Sequence, residues 1–262
     1  MPIRVAAIHR YPVKGLSAER LDRVVLAPRE CLPGDRRFAV ARASAPFDPD
    51  RPEWLPKTNF LMLMRDEILA RLHTRFDEAS GVLTIERHGR TLLRAPITEP
   101  EGRAAADRFF AEFMRERLDG PPRLVEAAGH NFTDARRKPN ATTYKYVSIV
   151  NLASVAALER AIGKPADPMR FRANLYLDGA AAWSEQDWIE SEIAVGGARL
   201  RVVSATNRCA ATHVNPATAE RDLDILGTLQ RAFGHVKMGV YAEVVSGGGI
   251  AEGDVVALPP VA

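Results

Sequence analysis

Short runs of alternating or β-branched residues, each closed by glycine, proline or polar residues, recur along most of this 262-residue chain. This pattern is typical of sheets with one buried face, and it argues against a helical bundle. A turn at residues 87–90 is predicted to join two of the runs into a hairpin. The runs predicted as strands are 3–13, 23–27, 37–43, 82–87, 91–95, 144–150, 174–177, 193–205, 240–245 and 255–258.

Three segments predict helices between these strands. Residues 102–118 repeat apolar side chains every three or four positions, which places them on one face of a helix that packs on the core. Residues 151–162 predict a second helix, with Asn151 as its N-cap and Gly163 at its C-terminal end. A third helix is predicted to begin at Asn215-Pro216. Its inward residues would be Leu223, Leu226 and Leu229.

The polar stretch 126–143 separates two strand-rich halves. It is rich in Arg, Asn and Thr, so it is a candidate crossing between domains, or equally a long functional loop. The pattern therefore predicts a mainly β protein with a few helices (α+β), organised as two β-rich lobes. The predicted domains are residues 1–125 and 126–262.

The charge pattern gives no indication of a nucleic-acid partner. The net charge is only +3, and basic residues are spread among nearly as many acids, without the concentrated basic face that nucleic acid requires. Local clusters remain at Arg36-Arg37 and Arg136-Arg137-Lys138, and such clusters are usually solvated surface. A small anionic ligand, however, needs only two or three converging cations.

Composition also bears on the compartment. Hydrophobic residues make up 46% of the chain, but no apolar run approaches the roughly 18 residues that a membrane helix needs. Met1-Pro2-Ile3-Arg4 enters a strand pattern at once, which argues against a signal or transit peptide. Two cysteines give no disulfide framework. We expect a cytoplasmic protein without a membrane partner.

Cys209 carries the strongest chemical indication in the sequence. It stands in Thr206-Asn207-Arg208-Cys209-Ala210-Ala211-Thr212, directly after a predicted strand. A guanidinium beside a thiol stabilises the thiolate, which is the form that acts as a nucleophile or a metal ligand. The alternative is an inert buried thiol, because free cysteine is among the most buried residue types. Cys31, in the turn Glu30-Cys31-Leu32-Pro33-Gly34, has no comparable surroundings and is predicted to be structural.

Other catalytic patterns find little support. The chain has no G-x-G-x-x-G, Walker A, H-E-x-x-H or G-x-S-x-G motif. Cys209 and His213 are four residues apart, but structural zinc needs four ligands and the other cysteine is Cys31. A cysteine hydrolase stays open, because any of the six histidines could approach Cys209 in space.

The order of several motifs resembles the MOSC family, named for the C-terminal domain of molybdenum cofactor sulfurase and including the mitochondrial amidoxime-reducing component and its bacterial relatives. The resemblance spans nearly the whole chain and implies an N-terminal β-barrel domain followed by a MOSC β-barrel. The matching segments are Tyr11-Pro12-Val13-Lys14-Gly15, Gly34-Asp35-Arg36-Arg37-Phe38, residues 170–179, residues 183–188, residues 193–200, the Cys209 segment, Asn215-Pro216-Ala217-Thr218, Arg221-Asp222, residues 239–242, residues 247–250 and Gly253-Asp254.

The resemblance implies a molybdenum cofactor (molybdenum bound to molybdopterin) whose metal Cys209 ligates. Arg208 would hold the thiolate ionised and donate to the cofactor. Lys14, Arg36 and Arg172 would bind its phosphate and other anionic groups, although in the absence of the resemblance Lys14 and Arg36 would be taken for exposed turn cations. Arg172 and Asn174 are predicted to share the polar face of a strand. Asp35 is expected to brace the turn or an arginine.

This sequence departs from the family pattern at three places. The family's D-P-x-T-G reads Asn215-Pro216-Ala217-Thr218-Ala219 here, which removes a carboxylate and a glycine. Lys57 stands where relatives tend to carry an arginine, and it can replace the charge but not the bidentate fork. Asn207 stands where relatives often have serine. Lys57 and Asn207 are included in the predicted cofactor site.

The resemblance implies an oxidoreductase that removes oxygen from N-hydroxylated or other N-oxygenated small molecules. The substrate oxygen would pass to reduced molybdenum held by Cys209, and an external redox protein carrying flavin, haem or iron–sulfur would supply electrons, since no motif for those groups appears here. Pyridoxal phosphate binding is a further family-level association. The alternatives are a sulfur (persulfide) or cofactor carrier that uses Cys209 without redox turnover, a cysteine hydrolase, and a non-catalytic ligand-binding barrel.

Overall fold

The computed structural model describes residues 2–135 and 144–259. The basic cluster Arg136-Arg137-Lys138 and the rest of the predicted crossing up to residue 143 lie outside the described residues. The strands are β1 (Arg4–Arg10), β2 (Glu19–Leu21), β3 (Arg23–Leu26), β4 (Phe38–Ala41), β5 (His73–Asp77), β6 (Val82–Arg87), β7 (Arg90–Pro96), β8 (Arg123–Glu126), β9 (Val147–Asn151), β10 (Leu175–Asp178), β11 (Glu192–Val195), β12 (Ala198–Asn207), β13 (Lys237–Ser246), β14 (Gly248–Ala251) and β15 (Val256–Ala257). The α-helices are α1 (Pro100–Met114), α2 (Leu152–Ile162) and α3 (Ile225–Phe233).

An eight-stranded sheet organises the second half of the chain, in the order β15-β11-β12-β13-β9-β10-β1-β2. Its pairs are antiparallel except β9 with β10, which the intervening helix α2 allows to run in parallel. Valines, isoleucines and leucines from alternate positions build one core on one face of this sheet. Residues of α2 and α3, among them Leu158 and Leu229, build a second core with other sheet residues.

The N-terminal segment crosses between the two halves. Strand β1 pairs with β10, with Val5 opposite Leu177, and strand β3 pairs with β14, with Val25 opposite Gly249. Val5 and Leu177 accordingly share one core cluster. The boundary after residue 125 stays a prediction, but the hydrogen bonds of residues 4–26 tie the start of the chain to the second half.

The remaining strands and α1 form the first lobe. Strands β5, β6 and β7 make a three-stranded meander, and β4 pairs with β8. Helix α1 packs its buried face, with Ala106, Phe110 and Met114, onto the core that Phe38 and Ile85 also enter. The one-sided face predicted for residues 102–118 is therefore confirmed, although the helix itself spans Pro100–Met114.

The predicted class, mainly β with a few helices, is confirmed, and so are both predicted ends of α2. The Asn151 side chain accepts a hydrogen bond from the Ala153 N–H, and Gly163 adopts φ +75°. The run 193–205 was predicted as one strand but is a hairpin, because it turns at Gly196-Gly197 between β11 and β12. Strands β2, β5 and β8 carried too little apolar alternation to be predicted.

The predicted start of the third helix is wrong. Asn215 accepts from the Ala217 N–H in a turn instead, and α3 begins only at Ile225, after the N-cap Asp224. An asparagine side chain can accept a hydrogen bond from a nearby backbone N–H both in a turn and at a helix N-cap, so the sequence could not distinguish the two. Leu223 and Leu229 are nevertheless buried, as expected, while Leu226 is half-buried.

Among the described residues, no helix combines the length and the apolarity that a membrane crossing would demand.

Candidate functional site

A cavity of about 410 Å³ lies where the two lobes meet. Every residue that the sequence predicts for the site lines it: Lys14, Arg36, Lys57, Arg172, Asn174, Asn207, Arg208 and Cys209. These positions are spread over nearly two hundred residues, so only the tertiary fold brings them together. Their cofactor-binding roles stay predictions.

The end of strand β12 delivers Cys209 to this cavity. The strand ends at Asn207, and Cys209 stands in extended conformation before a 3₁₀ turn over residues 210–213. The N–H and hydroxyl of Thr212 both donate to the Cys209 carbonyl, which fixes the backbone beneath the thiol. The side chain is half-buried and its sulfur lies at the cavity wall. The sequence expectation of a thiol directly after a strand is confirmed.

The described hydrogen bonds of Arg208 go to backbone carbonyls. Its Nε donates to the Met238 carbonyl at 2.8 Å and its Nη1 to the Phe171 carbonyl at 2.7 Å, while the guanidinium lies 5.4 Å from the Phe171 ring centre. Burial lowers the pKa of Arg208. Arg208 therefore contributes charge to the cavity wall, but its described hydrogen bonds hold the backbone and none reaches Cys209.

Lys57 is a second cation whose charge is attracted to the Cys209 thiol. Burial alone would lower the pKa of Lys57, but charge attraction to Cys209 and Asp134 and side-chain hydrogen bonding with Cys209 outweigh it, so the pKa is raised. Lys57 opens a 3₁₀ turn, residues 57–59, of the first lobe. An ammonium beside a thiol favours the thiolate. The first lobe thus adds a second cation beside the thiol, next to Arg208, whose charge is also attracted to Cys209.

Asp134 links two lysines of the first lobe. The Lys14 ammonium donates to one Asp134 carboxylate oxygen and, at 3.0 Å, to the Phe132 carbonyl, while the Lys57 ammonium lies 3.9 Å from the other carboxylate oxygen. Burial lowers the pKa of Lys14, whose side chain is only 9% exposed, whereas 45% of the Asp134 side chain is exposed. Lys14 is therefore a buried cation facing a half-exposed partner, not an exposed turn lysine.

Two arginines of the cavity lining, Arg36 and Arg172, stack on the ring of Tyr11. The guanidinium of Arg36 lies 4.6 Å from the ring centre and that of Arg172 lies 4.3 Å from it. Arg36 donates to the Arg172 carbonyl and to Asp35, and Arg172 donates to the Leu16 carbonyl at 2.7 Å. Burial and the neighbouring Arg36 lower the pKa of Arg172 to about 10, even though Tyr11 and Asp35 oppose that shift.

Asp35 has the bracing role expected from the sequence. One carboxylate oxygen accepts from the Tyr11 N–H at 2.8 Å and the other accepts from the Arg36 guanidinium. Because both oxygens are used, Asp35 holds Tyr11 and Arg36 in place while offsetting part of the positive charge of the arginines.

The predicted strand face of Arg172 and Asn174 is wrong, because β10 begins only at Leu175. Arg172 ends a 3₁₀ turn with φ +50°, in the left-handed region. Asn174 is buried, and its amide oxygen accepts from the Ser148 N–H and hydroxyl, while its nitrogen donates to the His9 carbonyl. Asn174 therefore braces the strands beneath the cavity.

Two family models match the chain: the MOSC N-terminal beta barrel domain over residues 2–134 and the MOSC domain over residues 129–257. This chain belongs to the MOSC family. The MOSC match contains Cys209, Arg208 and Arg172, and the N-terminal match contains Lys14, Arg36 and Lys57, so the cavity is built from both.

Curated relatives match parts of the chain. It is 28% identical over 153 residues to molybdenum cofactor sulfurase of Drosophila melanogaster, covering 56% of this chain and 19% of the sulfurase. It is 29% identical over 100 residues to mitochondrial amidoxime-reducing component 1 of Homo sapiens, covering 37% of this chain and 29% of that protein. The alignments thus span less than a third of either relative. The crystal structure of YUAD protein from Bacillus subtilis aligns over 98% of this chain and 96% of its own, with a TM-score of 0.45 and 13% identity, a likeness that supports no conclusion about function.

The lining of this MOSC cavity fits an anionic ligand rich in hydrogen-bonding groups, which is the chemistry of the family-associated molybdenum cofactor. Its described lining contains six cationic side chains, Lys14, Arg36, Lys57, Arg170, Arg172 and Arg208, against the two carboxylates of Asp35 and Asp134. Thr206, 3% exposed, also lines it, and its buried hydroxyl has no hydrogen-bond partner among the described residues. Buried polar groups are normally paired, so a ligand here would supply the missing partner.

Two alternatives considered for Cys209 find no support in this geometry. Within residues 2–135 and 144–259, no group of three or more His, Cys, Asp or Glu side chains could hold a metal ion, which removes the basis for a zinc site. All six histidines belong to the described residues, yet none lines the cavity. His213, the nearest in sequence, accepts from the Leu226 N–H at 3.3 Å. A histidine that could act as the general base of a cysteine hydrolase is therefore missing from the described lining.

Several residues that hold the cavity together were not predicted as site residues. Arg170 donates to Asp222 at 2.7 and 2.9 Å, and Arg221 donates to the Ala210 carbonyl of the Cys209 turn and to the Met64 carbonyl of the first lobe. The Arg221-Asp222 motif marked their importance but not their targets. Asp134 carried no sequence signal at all.

The departures from the MOSC pattern have local explanations. Asn215 still accepts from backbone N–H groups, so the lost carboxylate is not needed for the turn. Ala219 stands where the family has glycine, and it adopts φ +63°. A left-handed conformation costs a non-glycine residue about 1 kcal/mol, which explains the family's preference for glycine there.

Proposed function

We propose that this chain binds a molybdenum cofactor in the cavity between its lobes, with Cys209 as the sulfur ligand, and reduces N-hydroxylated or other N-oxygenated small molecules. The observation that carries the proposal is the half-buried Cys209 thiol in a cavity with six cations, two carboxylates and the unpartnered Thr206 hydroxyl. The similarity to the amidoxime-reducing component supports the reaction class.

The chain's own residues would divide the work. Lys57 and Arg208, which both attract the Cys209 side chain, would offset the negative charge of the sulfur when it ligates a metal. Lys14 and Lys57 would bind anionic groups of the cofactor, because their described carboxylate partner, Asp134, is half-exposed and can exchange for a ligand. Arg36, Arg172 and Arg208 would hold the surrounding backbone and maintain a positive potential. Asn207, at the exposed end of β12, would contact the ligand from the rim.

The proposed net reaction converts R–NHOH, two electrons and two protons into R–NH₂ and water. The bound molybdenum would supply a centre that accepts and releases these electrons. The sequence has no flavin, haem or iron–sulfur motif, so the electrons would come from a separate redox protein. A cytoplasmic location and an association with pyridoxal phosphate stay predictions.

The decisive experiment compares the two cysteines. The protein is produced in a host that makes the pterin cofactor, and molybdenum is measured by elemental analysis along with reduction of an amidoxime by a chemically reduced dye. We expect near one molybdenum per chain, loss of activity in Cys209→Ser and Cys209→Ala, and no loss in Cys31→Ala. An alkoxide is a harder donor than a thiolate and far less available near neutral pH.

Other outcomes would redirect the assignment. Folded protein without molybdenum, but with a persulfide on Cys209, would support a sulfur carrier. Molybdenum at full occupancy without turnover would support a cofactor carrier. Amidoxime reduction by both Cys209 variants at the rate of the parent would remove Cys209 as the ligand and overturn the proposal.

A further inference from the structure

A second cavity, of about 290 Å³, adjoins the first at the junction of the lobes. The two cavities share five lining residues: Gly15, Leu63, Arg170, Arg172 and Ala211. Ala211 lies only two residues after Cys209, so the second cavity opens beside the turn that carries the thiol. A molecule with one end near Cys209 could therefore extend into the second cavity.

The second cavity is chemically unlike the first. Both lobes contribute apolar side chains to it: Leu16, Leu63, Leu69, Leu72, Met169, Val214 and Pro216. Several of its polar members are already paired: the Ser17 hydroxyl donates to the Leu72 carbonyl and accepts from the Thr74 N–H, and the Tyr11 hydroxyl donates to the Ala173 carbonyl. The Asp167 carboxylate likewise accepts from the Met169 N–H. A polar occupant would find few free partners here, and an apolar occupant would displace poorly bound water.

We infer that the second cavity binds the uncharged, apolar body of the substrate, such as an aryl ring, while the N-oxygenated group reaches Cys209. This inference rests on the proposed function and adds the substrate class. Four cations, Lys14, Arg36, Lys57 and Arg208, line only the first cavity and disfavour an apolar group there. Arg170 and Arg172 line both cavities, but they are paired with Asp222 and with the Leu16 carbonyl, so the second cavity offers the surface that favours an apolar group. Its volume is at the lower end for small-molecule sites, which suits a compound with a single ring.

Filling the second cavity tests the inference. Ala70 lines only the second cavity and is half-buried in the 3₁₀ turn over residues 67–71, so Ala70→Trp should occupy it. Ala217 lines it from the exposed rim, and Ala217→Trp is a second variant that should fold even if the first does not. Ala104→Trp, on the exposed side of α1 and outside both cavities, is the matched control.

The kinetic readout compares benzamidoxime, which has a ring, with hydroxylamine, which has none. We expect kcat/KM for benzamidoxime to fall at least about tenfold in the two filled variants, because excluding even a small apolar group from its pocket has effects of that size. Hydroxylamine reduction and molybdenum content should stay within about twofold of the control, since no catalytic group changes. Equal losses for both substrates, or no loss for either, would overturn the inference.

A binding measurement separates this inference from the proposed function. Saturation-transfer NMR on cofactor-free protein should show benzamidoxime bound to the parent and to Ala104→Trp, and no binding to Ala70→Trp or Ala217→Trp. Absence of binding to the parent would overturn the apolar site even if the protein proves to be a reductase. Binding with this pattern, in a protein that never acquires molybdenum, would instead retain an apolar binding site and refute the reductase.

Discussion

The arginine side of the first cavity (Arg36, Arg172 and Arg208) and its lysine side (Lys14 and Lys57) carry the same charge in different ways. The arginines donate to backbone carbonyls, including those of Leu16 and Phe171, and stack on aromatic rings. The lysines share a carboxylate, Asp134, whose side chain is 45% exposed.

This difference in hydrogen-bond partners indicates which of the cations are available to bind a ligand. A guanidinium has five donors in a rigid plane, so it can hold several carbonyls and still present charge to a cavity. An ammonium is a compact point charge that turns readily from one anion to another. Loss of an arginine should therefore appear mainly as loss of stability, whereas loss of a lysine should appear mainly as loss of ligand.

The largest effect should come from Arg172→Ala. It removes the 2.7 Å hydrogen bond to the Leu16 carbonyl and the contact with Tyr11, while relieving repulsion from Arg36. A hydrogen bond from a charged group contributes about 1.5–3 kcal/mol, so we expect the free energy of unfolding to fall by about 2 kcal/mol. Urea denaturation of cofactor-free protein measures this loss.

Arg201→Ala is the matched control for this substitution. Arg201 pairs with Glu192 on the exposed surface, and such pairs add little to stability. We expect no change beyond the error of the denaturation measurement. If Arg172→Ala also left the free energy of unfolding unchanged, the arginine side would not be the structural support that its hydrogen bonds indicate.

The sequence predicted which residues line the cavity, but it did not predict the contacts between them. Motif order placed Cys209, Lys14, Arg36 and Lys57 in one site, and the structure brings them to one cavity. The stacking of Arg172 on Tyr11 joins residues more than 130 positions apart, which no local pattern encodes. For the same reason, the sequence drew attention to Arg208, which is adjacent to Cys209. Lys57 is also attracted to Cys209, but only the tertiary fold brings it near the thiol.

In the fold, too, the sequence predicted local features better than contacts between distant segments. Periodicity predicted the helical face in residues 102–118 and both ends of α2, because caps and amphipathic faces are local properties. It placed the third helix too early, since Asn215 serves a turn as readily as a cap. The pairing of β1 with β10 joins distant segments, and the strand pattern alone could not choose that partner.

The lysine side should show the intermediate effect. Lys57→Met removes a charge that engages Cys209 and Asp134 while leaving the backbone of the 3₁₀ turn unchanged. A lost charge-assisted contact of about 1.4 kcal/mol would weaken cofactor binding about tenfold. Molybdenum content after gel filtration measures this retention, and circular dichroism should be unchanged.

Lys57→Arg and Lys237→Met serve as controls for this comparison. Lys57→Arg keeps the charge and should retain most of the cofactor, and exposed Lys237 lies outside both cavities. Full molybdenum content in Lys57→Met would place Lys57 among the structural cations and end the distinction between the two sides.

The smallest effect should come from Asp134→Asn, and its direction is opposite. Asp134 competes with an anionic ligand for Lys14 and Lys57, so removing its charge should strengthen phosphate binding to cofactor-free protein about threefold, or roughly 0.6 kcal/mol. Asp50→Asn, at an exposed loop outside both cavities, controls for net charge. Isothermal titration calorimetry with inorganic phosphate measures the difference.

The pH dependence of that difference tests whether the Asp134 charge is responsible. Burial raises the pKa of Asp134, but Lys14 and Lys57 outweigh it and hold the pKa below its ordinary value of 3.8. The carboxylate is therefore ionised throughout neutral pH, and its pairing with Lys14 is lost only as the pH falls through this lowered pKa. Between about pH 6 and pH 8, well above the ordinary pKa of a carboxyl group, titration of Asp134 should thus contribute no change to the ratio of the two affinities. Weaker phosphate binding in Asp134→Asn would show instead that Asp134 orients the lysines for the ligand, and the lysine side would then be as fixed as the arginine side.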